Sequence, residues 1–270
     1  MSDNSVQSLE RAFGLLDTLS LYPNGMHLME IASETGLNKS TAHRLLASLI
    51  ALGYVKKAEG ASGKYQLSLK LFELAGRVVE SINVLDVARG ALEKLRDAAK
   101  ETIHLVVRDG CDIVYIHKSE CPSNAYRLFS QIGMRRPLYC TAAGKSILAT
   151  LSDREVAAIW EQSKIETYTE HTITSLTELY RALDGIRASG YALDNEENEP
   201  GVRCLAAAIR DYTGGSRAAF SISAPSLRLS EERILELVPE VRATAERLSK
   251  EMGYIVRTKN DTSQSLNNPT

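Results

Sequence analysis

The chain has 270 residues, 44% of them hydrophobic and 24% charged, which excludes disorder and collagen-like structure and allows one large domain or two modest ones. No apolar run approaches the roughly 18 residues a bilayer span needs, and the opening MSDNSVQSLE has neither basic flank nor apolar stretch, so neither membrane insertion nor secretion is expected. The formal net charge of −2 excludes a surface that is basic throughout, and four cysteines without CxxC spacing suit reduced thiols in the cytoplasm.

Residues 6 to 20 place Val6, Leu9, Phe13, Leu16 and Leu19 at steps of three and four, the spacing of a helix buried on one side. In LMEIASETGLNKSTAHRLLASLIALGYV, apolar Leu28 and Ile31, small Ala32, Gly36-Leu37, and then Ala42, Leu45, Leu46 and Leu49 fit two short helices around a tight turn. This is the pattern of a helix-turn-helix. Its second helix starts near Asn38, a suitable N-cap, and exposes Lys39, Ser40, Thr41, His43 and Arg44 at its start. These side chains suit a DNA major groove: Arg44 can fork onto guanine, Ser40, Thr41 and His43 reach base edges or phosphates, and Lys39 neutralises a phosphate.

Residues 53 to 68 read as strand, Gly-rich turn and strand, with Lys56 and Lys57 on one arm and Lys64 on the other, which makes a wing. From Lys39 to Arg77 there are seven basic residues against two acidic, although residues 1 to 80 as a whole balance at eight each. One basic face therefore meets the duplex, and its binding is expected to be strongly salt-dependent.

A helical pattern runs on to about residue 81, and residues 84 to 100 form another amphipathic helix, together read as a linker over 81–102. From 103 the period becomes two: IHLVVRD, the turn pair Asp109-Gly110, then DIVYIHK, a hairpin signal that opens a sheet. Helices follow at about 142–151, 153–161 and 175–189, strands near 191–194, 203–211 and 217–223, and a last helix at 230–252. The fold class is α+β with an antiparallel sheet over 103–258, and the polar tail 259–270 is expected to be disordered.

Catalytic motifs are weak. Gly144-Lys145-Ser146 resembles the end of a phosphate loop, but Tyr139 stands where that motif needs glycine, and there is no GxSxG, HExxH or dinucleotide fingerprint. His104, Cys111, His117 and Cys121 fit no compact zinc spacing, so no metal and no other cofactor is expected, and no catalytic residue is assigned.

The motifs SVQSLERAFGLLDTL, LNKSTAHRLLASLIALGYV, RRPLYCTAAGKSILA, GYALDNEENEPGVRCLAAAIRD and AAFSISAPSLRLSEER resemble the IclR family of bacterial transcriptional regulators from end to end. IVYIHK and IGMRRPLYCTAAGK look most like its KdgR-like branch, regulators of pectin and uronate breakdown that respond to 2-keto-3-deoxygluconate. The resemblance implies a winged helix-turn-helix over 1–80, a GAF-like effector domain, a homodimer or dimer of dimers on double-stranded palindromic operator DNA, a repressor's role, and a small carboxylate effector.

Family pocket positions carry over to Ala142, Ala143, Asp194, Cys204, Ser221 and Ser223. Ser221 and Ser223, two apart on a strand, offer two hydroxyls on one face. Ala142 and Ala143 at a helix start leave room for an anion against free backbone N–H groups. Asp194 suits a hydroxyl of a sugar acid better than its carboxylate, and Cys204 serves as wall. Many family members have Pro where this chain has Ala208. The competing readings are an IclR-type regulator or activator responding to a different small or aromatic carboxylate, a keto-acid enzyme tethered to DNA, and a constitutive DNA-binding protein with an empty second domain.

Overall fold

The computed structural model describes residues 6–58, 63–74, 83–122 and 128–255. The chain divides into two compact units at residues 81 and 82. Each is described by itself.

In the first unit, α1 (Gln7–Ser20), β1 (Met26–His27), α2 (Leu28–Glu34), α3 (Lys39–Ala51), β2 (Val55–Lys57) and β3 (Lys64–Leu67) form three helices and a small antiparallel sheet in the order β1-β3-β2. Leu15, Leu19, Ile31, Leu46, Leu49, Val55 and Tyr65 make its core. The face of α1 that is buried is displaced from the stripe foreseen: Leu19 goes inward as expected, but its partner one turn earlier is Leu15, which was not in the stripe, while Leu16 is half-buried. Val6, Leu9 and Phe13 are more than half exposed, because their side of the helix lies away from α2 and α3. Between α2 and α3, Gly36 takes φ of +65° and the Leu37 amide donates to the Ala32 carbonyl at 3.0 Å, which closes the turn. Asn38 occupies the N-cap position with extended backbone, but its side chain makes no cap bond. β1, only two residues long, was below the reach of any periodicity.

The second unit carries α4 (Val84–Ala99), β4 (Thr102–Asp109), β5 (Asp112–Ser119), β6 (Arg135–Pro137), α5 (Ala142–Leu148), α6 (Asp153–Gln162), α7 (Leu176–Ser189), β7 (Ala192–Asn195), β8 (Val202–Ile209), β9 (Ala218–Pro225) and α8 (Glu231–Glu251). Its six strands are antiparallel in the order β6-β5-β4-β9-β8-β7, the GAF-like mixture of helix and sheet expected. On one face, Leu92 and Leu95 of α4 and Leu237, Val241 and Leu248 of α8 pack on Ile103, Leu105, Phe220 and Ile222. On the other, Ile147, Val156, Ile159, Leu179 and Leu183 of α5, α6 and α7 cover Val106, Ala206 and Ala219.

Residues 84–99 are therefore corrected from linker to a layer of the second unit's core: Ala88, Leu92, Leu95 and Ala99 are all buried against the sheet and α8. The first residues of the expected linker, 81–82, the end of the preceding helical pattern at 75–80, Glu59 and Arg77 of the charge count, and the tail 259–270 lie outside the described residues. In the hairpin, Asp109 pairs with Asp112, so the loop is Gly110-Cys111, one residue later than expected, with φ of +64° at Gly110. Arg135 of β6 bridges both aspartates, at 2.6 Å to Asp109 and 3.1 Å to Asp112. Among the described residues, no helix is long and apolar enough to cross a membrane.

Candidate DNA-reading face and effector cavity

At the start of α3, Lys39, Ser40, His43 and Arg44 are exposed and Thr41 is half-buried, while Ala42 and Leu46 turn into the core. Helical spacing does this: the buried positions are four apart, and the polar residues fill the remaining arc. On the wing, the ladder pairs Lys56 with Gln66 and Lys57 with Tyr65. Adjacent strand residues face opposite ways, so Lys56 and Lys64 share the wing's outer face. Lys57 stands on the side of buried Val55 and Tyr65, at the open end of the ladder, where it is exposed. Lys39, His43, Arg44, Lys56 and Lys57 have no ion pair with another described residue. Lys70, counted in the basic face, is exposed but already engaged: its ammonium donates to the Leu52 carbonyl at 2.6 Å and lies over the Tyr54 ring.

In the second unit the registers assemble two rows of side chains on one face of the sheet. Asp194, Cys204, Ser223 and Thr102 form one row across β7, β8, β9 and β4; Ala192, Ala206, Ser221, His104 and Lys118 form the next, reaching β5. The expected Ala142, Ala143, Asp194, Cys204, Ser221 and Ser223 all line one cavity, together with His104, Tyr115, Ser130, Thr141, Asn198 and Glu199. Its volume is ≈ 40 Å³, space on the scale of a few water molecules. A second cavity of ≈ 650 Å³, bounded by Ser146, Arg187, Arg210 and Tyr254, contains none of the six.

Sequence reasoning missed His104 and Tyr115. His104 sat on an alternating strand among histidines considered only as metal ligands. Tyr115 reaches the cavity through a bulge: Leu105 pairs with His117 but Val106 with Tyr115, so Lys118 and Tyr115, three apart, share the cavity face. The same bulge sends His117 to the opposite face, beside Arg89 and Glu93 of α4. Among the described residues, no group of three or more His, Cys, Asp or Glu could hold a metal ion.

The cavity's electrostatics come from burial. Asp194 is 3% exposed, and its Oδ1 accepts from the Glu197 amide at 2.7 Å and the Asn198 amide at 3.4 Å. Burial, reinforced by the Glu197 charge and opposed by Lys145, pushes its pKa up to about 7. Behind it, the Lys145 ammonium is ion-paired to Glu197 Oε1, both side chains nearly inaccessible. Lys145 of the Gly-Lys-Ser stretch is thus a buried partner of an acid. Gly144 is required by packing: an added Cβ there would collide with the Leu138 carbonyl. Burial and the neighbouring Asp194 push the Cys204 thiol up, away from the thiolate a nucleophile needs.

A basic-faced winged helix-turn-helix followed by a sheet unit enclosing a polar cavity defines a DNA-binding transcriptional regulator with a separate sensing domain. Residues 8–59 match the IclR helix-turn-helix domain, and residues 76–250 match the bacterial transcriptional regulator IclR C-terminal domain. The chain is 42% identical over 251 residues to the HTH-type transcriptional regulator KdgR of Escherichia coli K12, covering 93% of this chain and 94% of that one. It is 39% identical over 253 residues to the DNA-binding transcriptional repressor YiaJ of the same organism, covering 93% and 89%. Among solved structures it is similar to the Thermotoga maritima IclR, with TM-score 0.62 and 34% identity over 92% of this chain and 99% of that one. The C-terminal domain of E. coli KdgR matches with TM-score 0.58 and 42% identity, over 64% of this chain and 100% of that one. The chain belongs to the IclR family of bacterial transcriptional regulators, in a KdgR-like branch.

Proposed function

We propose that this regulator is a cytoplasmic repressor of sugar-acid catabolism whose second domain binds a small carboxylate, 2-keto-3-deoxygluconate in the first instance. The observation that carries the effector reading is the convergence of Asp194, Cys204, Ser221, Ser223, Ala142 and Ala143, from four elements, on one cavity. Ser221 and Ser223 supply hydroxyl donors to a carboxylate, and the amides of Ala142 and Ala143 precede the first bonded amide of α5, that of Gly144. Asp194, Asn198 and Glu199 gather at another part of the wall and suit the hydroxyls of a sugar acid. An acid that binds one arrangement of the cavity more tightly than another shifts the balance between them, and that shift is a source of coupling to the DNA-reading unit.

Lys39, Ser40, Thr41, His43 and Arg44 read the major groove, with Lys56, Lys57 and Lys64 on phosphates, and a symmetric pair of chains reads a palindrome, as a dimer or dimer of dimers. Cys204 is a wall of the cavity; the raised thiol and the lack of a base bonded to it support a regulator over a tethered enzyme. The test is fluorescence anisotropy of DNA from upstream of the chain's own coding region and its neighbours, titrated with protein with and without 2-keto-3-deoxygluconate. Tight, salt-sensitive, selective binding that the acid weakens is expected. Selective binding that the acid leaves unmoved removes this effector and points to another carboxylate.

A further inference from the structure

Four polar side chains of the cavity form one chain of hydrogen-bonding contacts. Ser130 Oγ lies 2.8 Å from His104 Nε2, His104 Nδ1 lies 3.2 Å from Ser223 Oγ, and Ser223 Oγ lies 3.4 Å from Ser221 Oγ. His104 is 2% exposed and its ring meets Tyr115 edge-on at 4.9 Å, so the imidazole cannot turn away to water. Ser130 is itself held, since the Lys118 ammonium donates to the carbonyls of Leu128 and Ser130, each at 2.9 Å.

An imidazole between two hydroxyls acts on them according to its charge. Burial first, then the positive charges of Lys118 and His117, hold His104 at a pKa of about 3, so it is neutral across the physiological range. Neutral imidazole has one N–H and one lone pair, which gives the chain a direction. If Nε2 carries the proton, Ser223 must donate to Nδ1, and its hydrogen is consumed inside the wall. If Nδ1 carries it, Ser130 donates to Nε2, Nδ1–H donates to Ser223, and the Ser223 hydrogen is released towards Ser221, the Cys204 sulfur or the cavity. Only the second arrangement leaves both serines able to present hydrogens to an anion.

We propose that His104 is a positioning residue for effector recognition: held in the tautomer protonated at Nδ1, it aims the Ser223 and Ser221 hydroxyls as donors to the carboxylate of the bound acid. This rests on the effector reading above and extends it from the residues that touch the ligand to the residue that sets their polarity. Ser130, anchored by Lys118, supplies the proton-donating end of the chain, so the donor capacity of two strand residues is fixed from a segment two strands away.

The test has two arms on the full chain. In protein labelled with ¹⁵N-histidine, the ring-nitrogen shifts of His104, assigned by difference from a His104→Phe variant or, if that fails to fold, His104→Gln, should show a protonated Nδ1 and a bare Nε2. A protonated Nε2 overturns the inference whether or not any acid binds. By calorimetry, His104→Phe should weaken 2-keto-3-deoxygluconate roughly tenfold, the loss of one hydrogen bond to a charged group, and His104→Gln, which keeps a donor and an acceptor, should lose less. A folded His104→Phe protein that binds the acid as the wild type does also overturns it. Wild-type protein that binds none of the acid overturns the effector reading instead, and leaves the tautomer arm to decide this one.

Discussion

Lys145 of α5 and Glu197, in the loop after β7, form an ion pair sealed behind the proposed effector cavity, with 4% and 10% of their side chains exposed. The pair joins the helix that carries Ala142 and Ala143 to the loop that follows Asp194 of β7, and it is incompletely satisfied, since Glu197 Oε2 has no partner among the described residues. Removing one partner strands a buried charge. Lys145→Ala should therefore cost about 3–5 kcal/mol of unfolding free energy, whereas the double replacement Lys145→Met with Glu197→Leu should cost much less. Urea unfolding followed by circular dichroism measures both; equal losses for the single and double variants would mean that packing, not charge, dominates at this site.

Asp194 gives the protein a pH dependence whose sign can be worked out. Its ordinary pKa of 3.8 rises to about 7 in the folded state, through burial first and the Glu197 charge second. The folded state therefore holds a proton that the unfolded chain has released, and stability falls as pH rises from about 4 to about 7. Asp194→Asn keeps an oxygen for the Glu197 and Asn198 amides and cannot ionise, so its melting temperature should lose this slope and exceed the wild type's at pH 8. A wild-type melting temperature that is flat or rising between pH 5 and 7.5, after correction with the Asn variant, would contradict the assignment. Binding of a carboxylate should weaken as pH rises through about 7, where Asp194 ionises in the folded state and repels it.

Gly144 is fixed by a close approach of chain to chain. Thr141 caps α5 through the Gly144 amide at 3.1 Å, and an added methyl would enter the space of the Leu138 carbonyl and Cα. Backbone cannot yield as a flexible side chain does, so Gly144→Ala should destabilise the second unit by about 1–3 kcal/mol or more. Ala142 and Ala143, on the same helix, would shift with it. The expected signature in differential scanning calorimetry is a lowered transition together with weakened acid binding; an unchanged transition would show that α5 can slide freely.

The sequence made the helix-turn-helix, the wing and the sheet visible because each has a strong period and marked turns. Leu28, Ile31, Ala42 and Leu46 repeat as helices do, and Ser221 and Ser223 alternate as a strand does. Two kinds of information were hidden. The first is the one-residue bulge opposite Leu105 and Val106, which reverses the alternation of β5 and brings Tyr115 to the cavity; no pattern in DIVYIHK announces it. The second is depth. α4 has the amphipathic period of a connector, yet it is a core layer, and only the sheet and α8 packed against Leu92 and Leu95 reveal this. The six cavity residues were found through family motifs rather than through spacing, because they come from three strands and a helix far apart in the chain, and register alone aligns Asp194, Cys204 and Ser223.

Arg44 and Lys57 should differ in what they contribute to DNA binding. Arg44, exposed on the first turns of α3, is placed to fork onto a base, and Lys57, at the open end of the wing ladder, is placed for a phosphate. Arg44→Ala should cost about 1–3 kcal/mol on the operator and relax preference at one base-pair position in each half-site, while nonspecific binding falls less. Lys57→Ala should weaken all sequences to a similar extent and reduce the slope of log K against log salt by about 1 per subunit. Lys70→Ala supplies the contrast: because its ammonium is already bonded to the Leu52 carbonyl, its loss should lower the stability of the first unit more than the salt slope. Anisotropy titrations of the operator and of a scrambled duplex at three salt concentrations separate these cases. An equal loss on both duplexes for Arg44→Ala would remove it from base readout and leave sequence selection to Ser40, Thr41 and His43.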